Sequence, residues 1–144
     1  MKVYGYCRIS TSKQSMERQI RNIKLAYPDA VIVKETYTGT KIQGRKEFEK
    51  LLKIVSTGDT LVFDSVSRMS RTAQEGYEMY QKLYNQGVSL VFLKEPHINT
   101  STYQQAMENQ LSVNVKTGDQ ASEELLSGIF GALNRYMLNL AKRQ

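Results

Sequence analysis

The chain has 144 residues, a length that suits one hydrophobic core and would leave two full domains undersized. Its 20 Lys and Arg against 14 Asp and Glu give a formal charge of +6, which suits a polyanionic partner without demanding one. One cysteine and one histidine exclude an internal disulfide and a clustered zinc site; apolar runs such as Ser89 to Leu93 are too short for a membrane span, and polar residues arrive too early for a signal peptide. The expectation is a reduced, metal-free, intracellular protein.

Lys2 to Ile9 reads as a strand, followed by a capping arrangement of Thr11, Ser12 and Gln14 and by Met16, Ile20, Ile23 and Tyr27 at helical spacing. Ala30 to Glu35 is rich in β-branched residues and predicts a second strand, with Tyr37 to Gly44 as loop. Phe48, Leu51, Leu52 and Val55 mark a short amphipathic helix closed by Thr57-Gly58-Asp59. A third strand follows at Thr60 to Phe63. Ala73, Tyr77, Tyr80 and Tyr84 then share a helical face that ends near Gly87, and Val88 to Leu93 is an apolar run of the kind buried in parallel sheets. The alternation predicts an α/β fold with right-handed crossovers.

Glu95 to Gln120 is dominated by Asn, Gln, Ser and Thr, which predicts a mobile stretch with at most a short helix through Tyr103, Met107 and Leu111. From Ala121 to Arg143, Leu126, Ile129, Leu133, Tyr136 and Leu140 recur at three and four residues, the period of a seam between helices. Residues 1–120 are therefore expected to form one domain and 121–144 the start of a long oligomerisation helix.

Along an extended β-strand Tyr4, Tyr6, Arg8 and Ser10 fall on one face and Val3, Gly5, Cys7 and Ile9 on the other. Arg8 and Ser10 thus share a face at the carboxyl end of the first strand, where open α/β sheets place their ligands. Taken alone, Ser10 is better explained as a helix-capping residue than by catalysis. Cys7 reads as a small buried hydrophobe. In Ser67-Arg68-Met69-Ser70-Arg71 the two arginines would share a face if the segment were helical, which reads as a solvated, salt-bridged face, the commoner outcome for an arginine pair, or as a grip on phosphate oxygens. Arg45 and Lys46, at a helix start, read as surface charges or as a phosphate site. His97 lies in a polar loop with no partner near in sequence, and the tyrosines read as packing residues.

Taken in order, Tyr6-x-Arg8-x-Ser10-Thr11, Gln14, Gln19, Gly39, Gly44-Arg45 with Phe48 and Leu51-Leu52, and Ser67-Arg68-Met69-Ser70-Arg71 resemble the serine site-specific recombinases, the family of resolvases, invertases and large serine integrases. The resemblance covers roughly the first hundred residues and continues into the last helix. It implies a resolvase-like catalytic domain, with a mainly parallel sheet flanked by helices, that cuts and rejoins DNA in site-specific recombination through a covalent 5′-phosphoserine. By the same resemblance Ser10 is the nucleophile, Arg8, Arg68 and Arg71 surround the scissile phosphate, Arg45 supports it, Gln14 and Gln19 complete the polar pocket, and Tyr6 assists. No metal, cofactor, small-molecule substrate or membrane is implied. The implied partners are DNA and further copies of the chain, a homodimer assembling into a tetramer on DNA, in a bacterial or phage cytoplasmic setting.

Two features depart from the family pattern. Ser67 stands where many members carry Asp, so an acid-base role for that carboxylate does not carry over; Asp64 or Glu35 are the nearby acidic candidates. The sequence also stops at Gln144 without the DNA-binding module that follows this helix in the family. Both features favour an alternative, a non-catalytic oligomerisation or regulatory module of the same fold. The presence of Ser10 with Arg8, Arg45, Arg68 and Arg71 argues against it. A phosphoacceptor signalling domain of similar shape would need acidic residues near the end of the first strand, and Tyr4 to Ser10 has none.

Overall fold

A computed structural model describes residues 1–9, 16–37 and 44–113 of the chain. Strands β1 (Val3–Ile9), β2 (Val31–Thr36), β3 (Thr60–Phe63) and β4 (Ser89–Phe92) form one sheet in the order β2-β1-β3-β4, with every pairing parallel. Helices α1 (Met16–Ala26), α2 (Lys46–Ile54), α3 (Val66–Met69), α4 (Ala73–Asn85) and α5 (Thr100–Val113) connect and flank it. The α/β expectation holds, and the first four strands lie within a residue or two of where alternation and β-branched runs place them.

Both faces of β1 are covered, as a central parallel strand requires. Tyr4 and Tyr6 face the larger core, packed with Phe48 and Leu51 of α2, Phe63 of β3, Tyr80 and Leu83 of α4 and Phe92 of β4. Cys7 faces the smaller one, with Ile23 of α1, Ala30 and Val62. Gly5 lets α1 come close on this side: a Cβ there would meet Ile23 Cγ2 at 2.7 Å and Ile32 Cδ1 at 3.0 Å. Within the first core, Tyr6 meets Phe48 edge-on at 4.7 Å between centroids and Phe63 stacks on Phe92 at 5.4 Å.

Two expectations need correction. The polar stretch after Glu95 is structured through Val113, with a 3₁₀ turn at Pro96–Ile98 and a helix α5 of 14 residues. Its polar side chains serve the main chain of β4: Asn99 Oδ1 accepts from the Phe92 N–H at 2.7 Å, and Thr100 Oγ1 accepts from the Leu90 N–H at 2.9 Å. Residues that read as loop formers thus satisfy the outer edge of the sheet, while Ile98 and Tyr103 bury their side chains and Tyr80 donates its hydroxyl to the Ile98 carbonyl at 2.8 Å. Second, Arg68 and Arg71 do not share a helical face, because α3 ends at Met69 and Ser70 is extended at φ −151° and ψ 147°. The helix expected over 121–143 lies outside the described residues. Among the described residues no helix is long and apolar enough to cross a membrane.

Candidate active site

The site is built at the carboxyl ends of β1 and β3. Beyond Phe63, β3 no longer pairs with β1, since their register ends at Tyr6 opposite Phe63. The chain instead turns through Asp64 and Ser65 into the single turn of α3. Arg8, two residues past the last pairing, would have an unsatisfied main chain on that side. Gln19 of α1 fills the gap: its Oε1 accepts from the Arg8 N–H at 3.0 Å and its Nε2 donates to the Arg8 carbonyl at 2.9 Å. A side-chain amide thus takes the place of a neighbouring strand, and both ends of Gln19 are committed to positioning Arg8.

The Arg8 guanidinium is buried and donates to the main chain of α3, from Nη2 to the Ser67 carbonyl at 2.7 Å and from Nε to the Arg68 carbonyl at 3.3 Å. Arg45, which precedes α2, reaches the same turn from the other side, its Nη1 donating to the Arg68 carbonyl at 3.2 Å and to the Met69 carbonyl at 2.6 Å. Two fully buried guanidiniums therefore converge on one carbonyl. Neither forms an ion pair among the described residues, and Arg8 Nη1 and Arg45 Nε and Nη2 meet no hydrogen-bond partner there. Burial, with the charges of Arg45 and Arg71 beside it, pulls the Arg8 pKa down to about 10. Arg45 also stands over the Tyr37 ring, 5.7 Å from its centroid.

Glu35 organises the other wall. Its carboxylate accepts from the Tyr6 hydroxyl at 3.0 Å, from the Phe48 N–H at 3.0 Å and from the Glu47 N–H at 3.2 Å. It thereby caps α2 from a neighbouring strand and fixes Arg45 just ahead of that helix. Two of the first free donors of α2, the Glu47 and Phe48 N–H groups, are taken by this carboxylate, and what Arg45 offers is its guanidinium. Burial, then the charge of Glu35, raises the Tyr6 hydroxyl far above its ordinary pKa, so Tyr6 stays a neutral donor.

The two acidic candidates are thus both engaged. Asp64 is buried and pairs with Lys94 Nζ at 3.3 Å while accepting from Asn22 Nδ2 at 3.0 Å. The Ser67 hydroxyl shares a hydrogen bond with Ser65 Oγ at 2.8 Å. Cys7 is buried with its thiol pushed up to about 12, chiefly by desolvation, as suits a packing residue. His97 is exposed. Of the expected site residues, Tyr6, Arg8, Gln19 and Arg45 are gathered here by their side chains and Arg68 by its carbonyl, and Arg71 is close enough for its charge to act on Arg8. Ser10 and Gln14 lie outside the described residues. The capping role of Glu35 was missed by sequence reasoning, since nothing local links a strand carboxylate to a helix start more than ten residues on.

A parallel α/β domain with buried arginines at the carboxyl end of its central strand is the class that fold and site define. The chain belongs to the resolvase family: the family model "Resolvase, N terminal domain" matches residues 3–144. A resolvase of Clostridium perfringens is 30% identical over 98 residues, 67% of this chain and 51% of the relative. The Tn21 transposon resolvase of Escherichia coli is 32% identical over 107 residues, 73% and 53% of the two chains. The chain thus spans about half the length of the curated relatives it matches. Among solved structures, the N-terminal catalytic domain of TP901-1 integrase shares the fold at a TM-score of 0.62 and 18% identity, over 97% of this chain and 98% of the other. A resolvase family site-specific recombinase from Streptococcus pneumoniae does so at 0.54 and 23%, over 86% and 97%.

Proposed function

We propose that the chain is the catalytic domain of a serine recombinase that cuts and rejoins DNA, with Ser10 as nucleophile. The observation that carries this reading is the pair of buried guanidiniums, Arg8 and Arg45, with three donor nitrogens turned to no acceptor among the described residues. Buried cations without counter-charge are costly, and their persistence in a fold points to an anion that completes them. Family membership supports a DNA phosphate as that anion, since the relatives include transposon resolvases.

In the sequence Ser10 comes directly after Ile9, the last residue of β1, and two residues after Arg8. In the reaction, the Ser10 oxygen attacks the phosphorus in line. The P–O bond to the 3′ carbon's oxygen breaks, that oxygen leaves as a 3′ hydroxyl after taking a proton, and the 5′ phosphate stays on Ser10 as an ester. Reversal with a different 3′ hydroxyl rejoins the DNA. Serine is a weak nucleophile at neutral pH. In this reading Arg8, Arg45, Arg68 and Arg71 lower the barrier by spreading the charge that builds on the phosphoryl oxygens. Gln19 and Glu35 act one step back, by fixing Arg8 and Arg45, and the family resemblance assigns Gln14 to the same task. DNA and further copies of the chain are the partners, a dimer pairing into a tetramer so that two duplexes are cut and exchanged.

The test is to incubate the full chain with supercoiled plasmid carrying the DNA that flanks its gene and to quench in denaturant. Protein covalently joined to 5′ ends and free 3′ hydroxyls is the expected product. Cleavage that leaves protein on 3′ ends, or no adduct on any DNA bound, contradicts the reading.

A further inference from the structure

Helix α3 is a single turn, too short to hold itself, yet both buried guanidiniums depend on where its carbonyls point. Inside it, the Arg68 N–H reaches the Ser65 carbonyl and the Ser70 N–H reaches the Val66 carbonyl, each at 3.1 Å. Its start needs an outside acceptor, because the first N–H groups of any helix have none within it. Ser65, in the capping position, makes no side-chain cap, its hydroxyl being engaged with Ser67. The acceptor is Glu95, which lies just beyond β4 and takes the Val66 N–H on Oε1 at 2.6 Å.

Glu95 is itself fixed at both ends of its peptide, its N–H donating to the Phe92 carbonyl and its carbonyl accepting from Ile98, each at 3.1 Å. The side chain is 5% exposed. Its second oxygen, Oε2, meets no partner among the described residues, and burial raises the carboxyl pKa against the pull of the Val66 N–H and of Lys94. What this place in the fold uses is the acceptor atom, Oε1. One line of contacts then runs from Glu95 through Val66 to the carbonyls of Ser67, Arg68 and Met69, and from these to Arg8 and Arg45.

We propose that Glu95 is a positioning residue for strand cleavage, which by accepting the Val66 N–H sets the α3 carbonyls that aim the Arg8 and Arg45 guanidiniums at the phosphate. The role rests on the function proposed above. A shift of about 1 Å in reacting groups costs on the order of 10²-fold in rate.

The experiment compares Glu95→Ala, Glu95→Asp and Glu95→Gln in the full chain by two readouts. The first is the NMR signals of the Arg8 and Arg45 Nε–H groups, which need no DNA. The second is the rate of covalent adduct formation beside the affinity for the same plasmid DNA. Glu95→Ala should move or broaden both guanidinium signals and slow cleavage on the order of 10²-fold with affinity nearly unchanged. Glu95→Gln, which keeps an acceptor oxygen without the charge, should restore both. Should Glu95→Ala fail to fold, Glu95→Asp, one methylene shorter, should give the same directions in smaller measure. Unmoved guanidinium signals in the folded variants, or a Gln variant as impaired as Ala, would overturn the proposal. Absence of adduct from the unmodified chain would strike at the proposed function, while the NMR readout decides the coupling from Glu95 to the arginines by itself.

Discussion

At the scale of residues, the proposed chemistry rests on the arginines, which differ in what holds them. Arg8 and Arg45 use the planar fork to bind two carbonyls each and still present further N–H donors. A lysine ammonium in either place would have to choose between the α3 carbonyls and a phosphate. Arg8→Lys and Arg45→Lys are therefore expected to lower the rate of adduct formation on the order of 10²-fold or more, the loss typical of one oxyanion donor. Arg68→Lys and Arg71→Lys should do the same if they contact the phosphate directly. Quenched-flow cleavage rates would check this, and near-normal rates in the lysine variants would make these arginines structural. What was legible in sequence is that Tyr6, Arg8, Gln19 and Arg45 come together beside the Ser67–Met69 turn. What sequence did not reveal was their division of labour. That Gln19 replaces a missing strand, and that Glu35 caps a helix, follow from where β3 ends and α2 begins, which no local pattern encodes.

At the scale of elements, the sheet was readable because parallel strands are continuous apolar runs and their helices carry a 3.6-residue period. The segment after β4 was legible only as a helix through Tyr103, Met107 and Leu111, for a reason of the same kind: Asn99 and Thr100 look like loop residues by composition, and only the geometry of β4's edge turns them into main-chain partners. The seat of α1 is a close contact between elements. Gly5→Ala would push a Cβ to 2.7 Å from Ile23 Cγ2, a branched methyl in a closed core, and is expected to cost about 1–3 kcal/mol as overpacking. Because α1 also carries Gln19, the same change should weaken protection of the Arg8 amide in hydrogen exchange more than that of the β3 amides. Urea unfolding and exchange measured together test this. An Ala variant as stable as the parent, with Arg8 equally protected, would show that α1 is free to shift.

At the scale of the whole molecule, the described α/β unit satisfies its own core, and the apolar stripe of 121–143 is left to account for. Leu126, Ile129, Leu133, Tyr136 and Leu140 repeat at seam spacing, with Leu125, Phe130 and Met137 widening the apolar face, so a second copy is the expected cover. Changing Leu133 and Leu140 together to Glu should shift the chain toward monomer in sedimentation while circular dichroism still reports an α/β fold. A parent chain already monomeric at high concentration would mean the stripe is covered internally.

The central claim, that Ser10 forms the bond to DNA, is tested most directly by trapping the protein–DNA adduct, digesting both polymers and sequencing the joined peptide by tandem mass spectrometry. The account predicts a nucleotide 5′-phosphate on Ser10 in the peptide following Arg8, and no adduct from Ser10→Ala although that variant folds and binds DNA as before. A phosphate attached at any other residue, or an undiminished adduct from Ser10→Ala, would contradict it.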